Sequence, residues 1–179
     1  MNTYMKHIKI RKGTWETNSS STHALVVKKE IPKELPLFAY FGLGDFGWEQ
    51  AKYSDKDTKC CYLNTALFYR YVSYMEDKSK YYEYRNKVIE ILKSYGIHSE
   101  WKDIEQIDAH DYNYYVDHCD GLDEFIEIIL DNPELLIDWL FNDESLLVTD
   151  NDNSEMEYYE EAFNTYGNKE DYWVYGKGN

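Results

Sequence analysis

The residues best equipped for chemistry are gathered in one stretch near the start of the chain, Glu16-Thr17-Asn18-Ser19-Ser20-Ser21-Thr22-His23. It holds a carboxylate, an amide, an imidazole and five hydroxyls. Hydrolysis of a phosphodiester needs a base, an acid and donors to the phosphate oxygens. Glu16 and His23 can serve as the acid/base pair. Asn18, Ser20 and the neighbouring hydroxyls, with backbone N–H groups of a tight loop, can cradle phosphate. Lys6, Lys9, Arg11 and Lys12 lie close in sequence and could neutralise it. RNA carries its own nucleophile in the 2′-OH, so a metal-free ribonuclease can work with such groups. The same residue types also make Asx- and Ser/Thr-turns, and in that role the stretch would tie two strands together. Acyl transfer is excluded, because no serine sits in a Gly-x-Ser-x-Gly elbow.

Three further groups carry residue types suited to chemistry. His98, His110, His118 and Cys119 are metal-ligating types, but His110 and His118 are eight apart and His118 adjoins Cys119. Zinc sites use tighter pairs, so no metal is expected. Gly42, Gly44 and Gly47 match Gly-x-Gly-x-x-Gly. A dinucleotide site requires that pattern to open a helix in a βαβ unit, which the following residues do not support, so no cofactor is expected either. The third group is acidic: Asp123, Glu124 and Glu127 on one predicted helix, Glu157, Glu160 and Glu161 on another. Carboxylates spaced along a surface can imitate a phosphate backbone and compete for a basic channel. The plainer alternative is the solvated face of an amphipathic helix. Such faces commonly mix signs for i,i+4 support, and Lys is all but absent from residues 103–168.

The charge is unevenly placed. Residues 1–59 carry 10 Lys/Arg against 7 Asp/Glu, residues 60–100 carry 6 against 5, and residues 101–179 carry 3 against 22, within a net charge of −15. This split points to an interaction surface and to a basic partner.

The elements that must position these groups follow from periodicity. Alternating or β-branched runs at 4–10 and 24–27 read as strands flanking the polar stretch. A short apolar run at 37–41 reads as a third. Helices are expected at 60–78 and at 80–95, the latter stopped by Gly96. Further helices are expected at 121–132, at 134–142 after the Asn132-Pro133 start signal, and at 154–164 with Ser154 and Glu157 as a capping box. Strands are expected at 146–148 and 172–175. The fold class is therefore α+β, with N-terminal antiparallel strands and helices packed on one face. A chain of 179 residues suits a single domain over 1–179, divisible into a β-rich lobe 1–59 and an acidic helical lobe 60–179.

Composition narrows the class further. With 43% hydrophobic residues a true core can form. The 19 tyrosines suit wet contact surfaces, although codon bias in an AT-rich genome produces the same excess. Three cysteines, two of them the adjacent Cys60 and Cys61, imply no disulfide framework. No apolar run has the length of a membrane span, and a cytoplasmic protein is expected.

The stretch from Glu16 to His23, with its basic-Gly-x-aromatic lead and aliphatic strand behind, resembles the opening of a group of small phage and prophage proteins. In general character the small, acidic, tyrosine-rich chain resembles phage-borne anti-CRISPR inhibitors of Cas9. The resemblance implies an anti-defence protein of the bacterial host cytoplasm, bound to a basic nucleic-acid-binding protein such as Cas9 with its guide RNA. Its acidic surface would dock on the partner, and its N-terminal motif would shape the contact or act on the guide RNA. Duplex DNA and membranes are not expected as partners. The alternative is a free-standing small nuclease or phosphoesterase using Glu16 and His23.

Overall fold

The computed structural model describes residues 21–46, 49–108, 113–117, 122–151 and 156–177, with the backbone alone at 122, 123 and 177. The strand expected at 4–10 lies outside the described residues.

The fold is built on β1 (Ser21–Lys28), a β-branched, apolar-rich strand. Every residue from Ser21 to Val27 is buried, with no alternation, because both faces of the strand are covered. Its neighbours are β7 (Leu146–Asn151) and β8 (Tyr172–Lys177), both antiparallel to it. A short β4 (Ala51–Tyr53) pairs with β7, and the described strands of this sheet run in the order β4-β7-β1-β8. Residues before and after position 60 thus share one sheet. Two parallel pairs lie apart from it: β2 (Phe38–Phe41) with β5 (His98–Trp101), and β3 (Asp45–Phe46) with β6 (Tyr115–Val116).

The helices are α1 (Lys56–Leu67), which runs on as a π-helical segment over Phe68–Tyr74, then α2 (Lys78–Ser94), α3 (Leu122–Asp131), α4 (Pro133–Phe141) and α5 (Glu157–Tyr166). The class is α+β, as the sequence predicts. Leu25, Val27 and Leu147 face the main core, where Tyr62 of α1, Phe125 of α3 and Leu136 and Trp139 of α4 meet them. Ala24, Val26 and Val148 face the other way and pack on Ala162 of α5. Four helices therefore gather on one side and α5 covers the other. At Gly176 a Cβ would lie 2.4 Å from both Phe163 and Tyr159, so only glycine lets α5 approach β8 this closely.

The local signals are mostly where the sequence puts them. Pro133 opens α4, and Gly96 follows α2 with φ +76°, a conformation that favours glycine. Helix α1 begins earlier than expected, because the Asp55 carboxylate accepts from the Thr58 N–H at 2.8 Å and caps it. Asp77 does the same for Ser79 and Lys80 at the start of α2. Helix α5 begins at Glu157, and Ser154 of the expected capping box lies outside the described residues.

Candidate functional site

At the β1–β7 end of the central sheet the pairing stacks three polar rungs: Ser21 opposite Asn151, Thr22 opposite Asp150, and His23 opposite Thr149. All six side chains are buried. This is where the described part of the Glu16–His23 stretch ends up. Glu16, Asn18 and Ser20 lie outside the described residues.

His23 is 0% exposed. Its Nδ1 lies 2.8 Å from the Tyr62 hydroxyl of α1, and the two rings meet edge-on with centroids 5.6 Å apart. Sequence reasoning sets His23 at the mouth of a loop as an acid or base. The structure sets it in the interior, on the α1 side of the sheet, tying β1 to that helix. The neighbouring rung points to the opposite side, as strand geometry requires. There the Asp150 carboxylate accepts from Gln50 Nε2 at 3.1 Å and the Asn151 N–H at 2.8 Å through one oxygen. Through the other it accepts from the N–H groups of Tyr158 and Tyr159, at 2.7 and 2.9 Å. Asp150 is thus the N-terminal cap of α5, delivered from a strand; the local N-cap residue, Met156, makes no side-chain cap bond. A charge fixed by four described donors and the positive end of a helix is well compensated. Ser21 Oγ donates to the Asp117 carbonyl at 3.0 Å. His23 and Asp150 lie on opposite faces, so they do not form one acid/base site.

Besides Asp150, two Lys, Arg, Asp or Glu side chains are buried among the described residues, and sequence reasoning missed both. Lys59 of α1 is 0% exposed and donates to the carbonyls of Asn142 and Ser145, each at 3.0 Å. Burial pushes its amine down to about 8. It closes the C-terminal end of α4, where a cation meets the negative end of the helix. Asp138 of α4 is 6% exposed, and no described group bonds its Oδ1. Burial, with the charges of Glu134 and Glu30, pushes its carboxyl up to about 6. A Lys on a helix reads as solvent-facing in sequence, so only the tertiary packing identifies Lys59.

The glycine-rich loop is engaged by α1 rather than open to a phosphate. The Gly44 N–H donates to Thr65 Oγ1 at 3.0 Å, and Asn64 Nδ2 donates to the carbonyls of Phe41 and Gly42, each at 2.9 Å. Gly47 lies outside the described residues. Of the candidate metal ligands, His98 is exposed on β5, and His110, His118 and Cys119 lie outside the described residues. Among the described residues no group of three or more His, Cys, Asp or Glu is placed to hold a metal ion. No described helix is long and apolar enough to cross a membrane.

The acidic candidates lie on the two helices predicted, in opposite layers. Asp123 falls on α3 by its backbone, and Glu124 and Glu127 of that helix are exposed. Glu157, Glu160 and Glu161 of α5 are all exposed. Part of the charge split along the sequence is resolved by folding. Lys28 pairs with Asp171, Lys52 with Glu161, Lys78 with Glu105 and Lys87 with Asp131. In each pair the cation comes from the first hundred residues and the acid from the rest. Glu124 accepts from the Tyr175 hydroxyl at 3.3 Å. Glu127, Glu157 and Glu160 have no ion-pair partner among the described residues. No family model matches this chain, and neither a curated protein nor a solved structure does.

Proposed function

We propose that this protein is a binding protein of the anti-defence type. It docks through uncompensated carboxylates on a basic nucleic-acid-handling partner, a Cas9-type nuclease carrying guide RNA, in the cytoplasm of a bacterial host. The observation that carries this reading is the set of exposed acids, Glu127, Glu157 and Glu160, which have no cation partner among the described residues after four other acids have been paired. Channels that hold nucleic acid present Lys and Arg at phosphate spacing, and free carboxylates on a rigid surface compete for that field. The same charge opposes binding to duplex DNA. No cofactor is needed for such a role. The interior position of His23 favours binding over phosphodiester hydrolysis, since a general base must reach the proton it removes.

The test is capture of Cas9 with guide RNA by the tagged full-length chain. Glu127, Glu157 and Glu160 are changed together to Lys, and the fold is checked by circular dichroism. The reading expects the wild type to capture the complex, with affinity falling as salt rises, and the triple variant to lose about tenfold or more. Equal capture by both chains would refute it.

A further inference from the structure

Helix α4 carries a row of polar groups that the rest of the fold leaves uncompensated. Glu134, Asp138 and Asn142 recur at four-residue spacing, so they line one face of the helix and its C-terminal end. Asn142 Nδ2 donates to the Glu30 carbonyl at 2.8 Å, which holds the segment after β1 alongside this row. Tyr95, just past the end of α2, borders it too: burial, then the charges of Glu134 and Asp138, hold its phenol above the ordinary value. Glu30 and Glu134 are exposed. A pair of surface acids would be ordinary by itself. Asp138 beside them is not, because it is only 6% exposed and its Oδ1 has no hydrogen-bond partner among the described residues. A carboxylate withdrawn from water without a partner is costly.

The nearby cations of the chain are held elsewhere. Lys28 pairs with Asp171, Lys29 donates to the Glu170 carbonyl at 2.8 Å, and Lys59 is bonded to the carbonyls of Asn142 and Ser145. The charged groups that act on Asp138, Glu134 and Glu30, are both negative. A cation brought from outside would therefore meet a negative field and an unbonded oxygen. The described acids do not converge in threes as metal ligands, so an organic cation fits the site better than a metal ion.

We propose that this notch takes an arginine side chain of a protein partner, its guanidinium lodged against the Asp138 carboxylate and spanned by Glu134. This rests on the acidic-docking reading and gives it an anchor point. Two carboxylates one helical turn apart suit a planar group with five N–H donors. A guanidinium is also more weakly hydrated than an ammonium, so it loses less on entering a site as closed as Asp138. The unbonded carboxylate that penalises the free protein then becomes the group that binds.

The probe is a short peptide, acetyl-Gly-Ser-Arg-Ser-Gly-amide. Its twins replace Arg by citrulline, which keeps the shape and removes the charge, and by Lys; ethylguanidinium stands for the free cation. The full-length chain is titrated with each, and the Asp138 side-chain carboxyl is followed by carbon NMR, assigned by its loss in Asp138→Asn. The proposal expects the Arg peptide to bind about tenfold or more tightly than the citrulline twin, and more tightly than the Lys twin. It expects the Asp138 titration to move down by about one pH unit or more when the Arg peptide is bound, since a neighbouring cation favours the ionised form. Asp138→Asn should lose about tenfold in Arg-peptide affinity while melting no lower than wild type at pH 7, a pairing that a purely structural role does not produce. Equal binding of the Arg and citrulline peptides, or an Asp138 titration that the Arg peptide leaves in place, would overturn the notch. Lys binding as well as Arg would overturn the guanidinium, and ethylguanidinium binding without the peptide would overturn a protein side chain as the occupant. Capture of Cas9 by a chain that ignores the Arg peptide would sink this site alone; Arg-peptide binding by a chain that captures no Cas9 would support the site and sink the Cas9 reading.

Discussion

At the β1–β7 end of the sheet six polar side chains are enclosed in three rungs, while on α3 and α5 a comparable set of carboxylates faces water. The β1 half of the enclosed set, Ser21, Thr22 and His23, reads as reactive in sequence and lies in the interior of the fold. The exposed set reads in sequence as a docking surface or as the solvated face of two helices, and among the described residues part of it has no ion-pair partner. What separates the two is where their partners come from. His23 finds Tyr62 on α1, and Asp150 finds the start of α5, so both are used up inside the molecule. Glu127, Glu157 and Glu160 find no cation among the described residues.

If this contrast is right, changes at the enclosed end should cost stability and changes on the helices should cost binding. The largest effect is expected for Asp150→Ala, which orphans the donors of Gln50, Asn151, Tyr158 and Tyr159. Removing one partner of a buried charged network costs on the order of 3–5 kcal/mol, read as a lower urea midpoint. An unchanged midpoint would mean that α5 does not depend on this cap.

Tyr62→Phe should cost less, about 1–2 kcal/mol, by removing the hydroxyl that faces His23 while keeping the ring. Partner capture should not change. A loss of capture at full stability would return His23 to the functional site.

Asp138→Asn should stabilise the protein at neutral pH. Folding raises this carboxyl from its ordinary 3.8 to about 6, so the ionised form is penalised in the native state. The penalty is absent below pH 3.8, grows between 3.8 and about 6, and persists above. The variant should therefore melt higher than wild type at pH 7, by roughly 1–3 kcal/mol of stability, and the difference should vanish near pH 4. A gain independent of pH would assign the effect to packing.

A small stability effect, no more than about 1–2 kcal/mol, is expected for Glu157→Lys with Glu160→Lys, because both side chains are exposed although they lie in the first turn of α5, where the helix dipole favours acids. These same changes should weaken capture most. That reversed order between stability and binding is the sharpest form of the contrast.

Some of this was legible in the residues alone. Val26-Val27, Asn132-Pro133 and Gly96 carry strong local signals, and β1, α4 and the end of α2 follow them. The acidic helices were legible too, since 3.6-residue spacing survives without tertiary knowledge. Strand β4 was not: three residues become a strand only by pairing with β7, nearly a hundred positions away. The capping serine expected for α5, Ser154, lies outside the described residues, and the acceptor the structure shows for its first turn is Asp150 of β7, which no local pattern signals. Lys59 and His23 share the same difficulty. Polarity is local and burial is not, so a dense polar run reads as reactive even where packing makes it interior.

The central claim is that the exposed acids, not the enclosed polar rungs, meet the partner. The most direct test compares two variants in one assay: Tyr62→Phe, and Glu127, Glu157 and Glu160 together to Lys. Each is used at full length to capture Cas9 with guide RNA, and the RNA is inspected for cleavage. The account predicts capture with intact RNA by wild type and Tyr62→Phe, and loss of about tenfold or more for the triple variant. Capture that tolerates the triple change but fails in Tyr62→Phe, or guide RNA cut only when His23 is present, would contradict it.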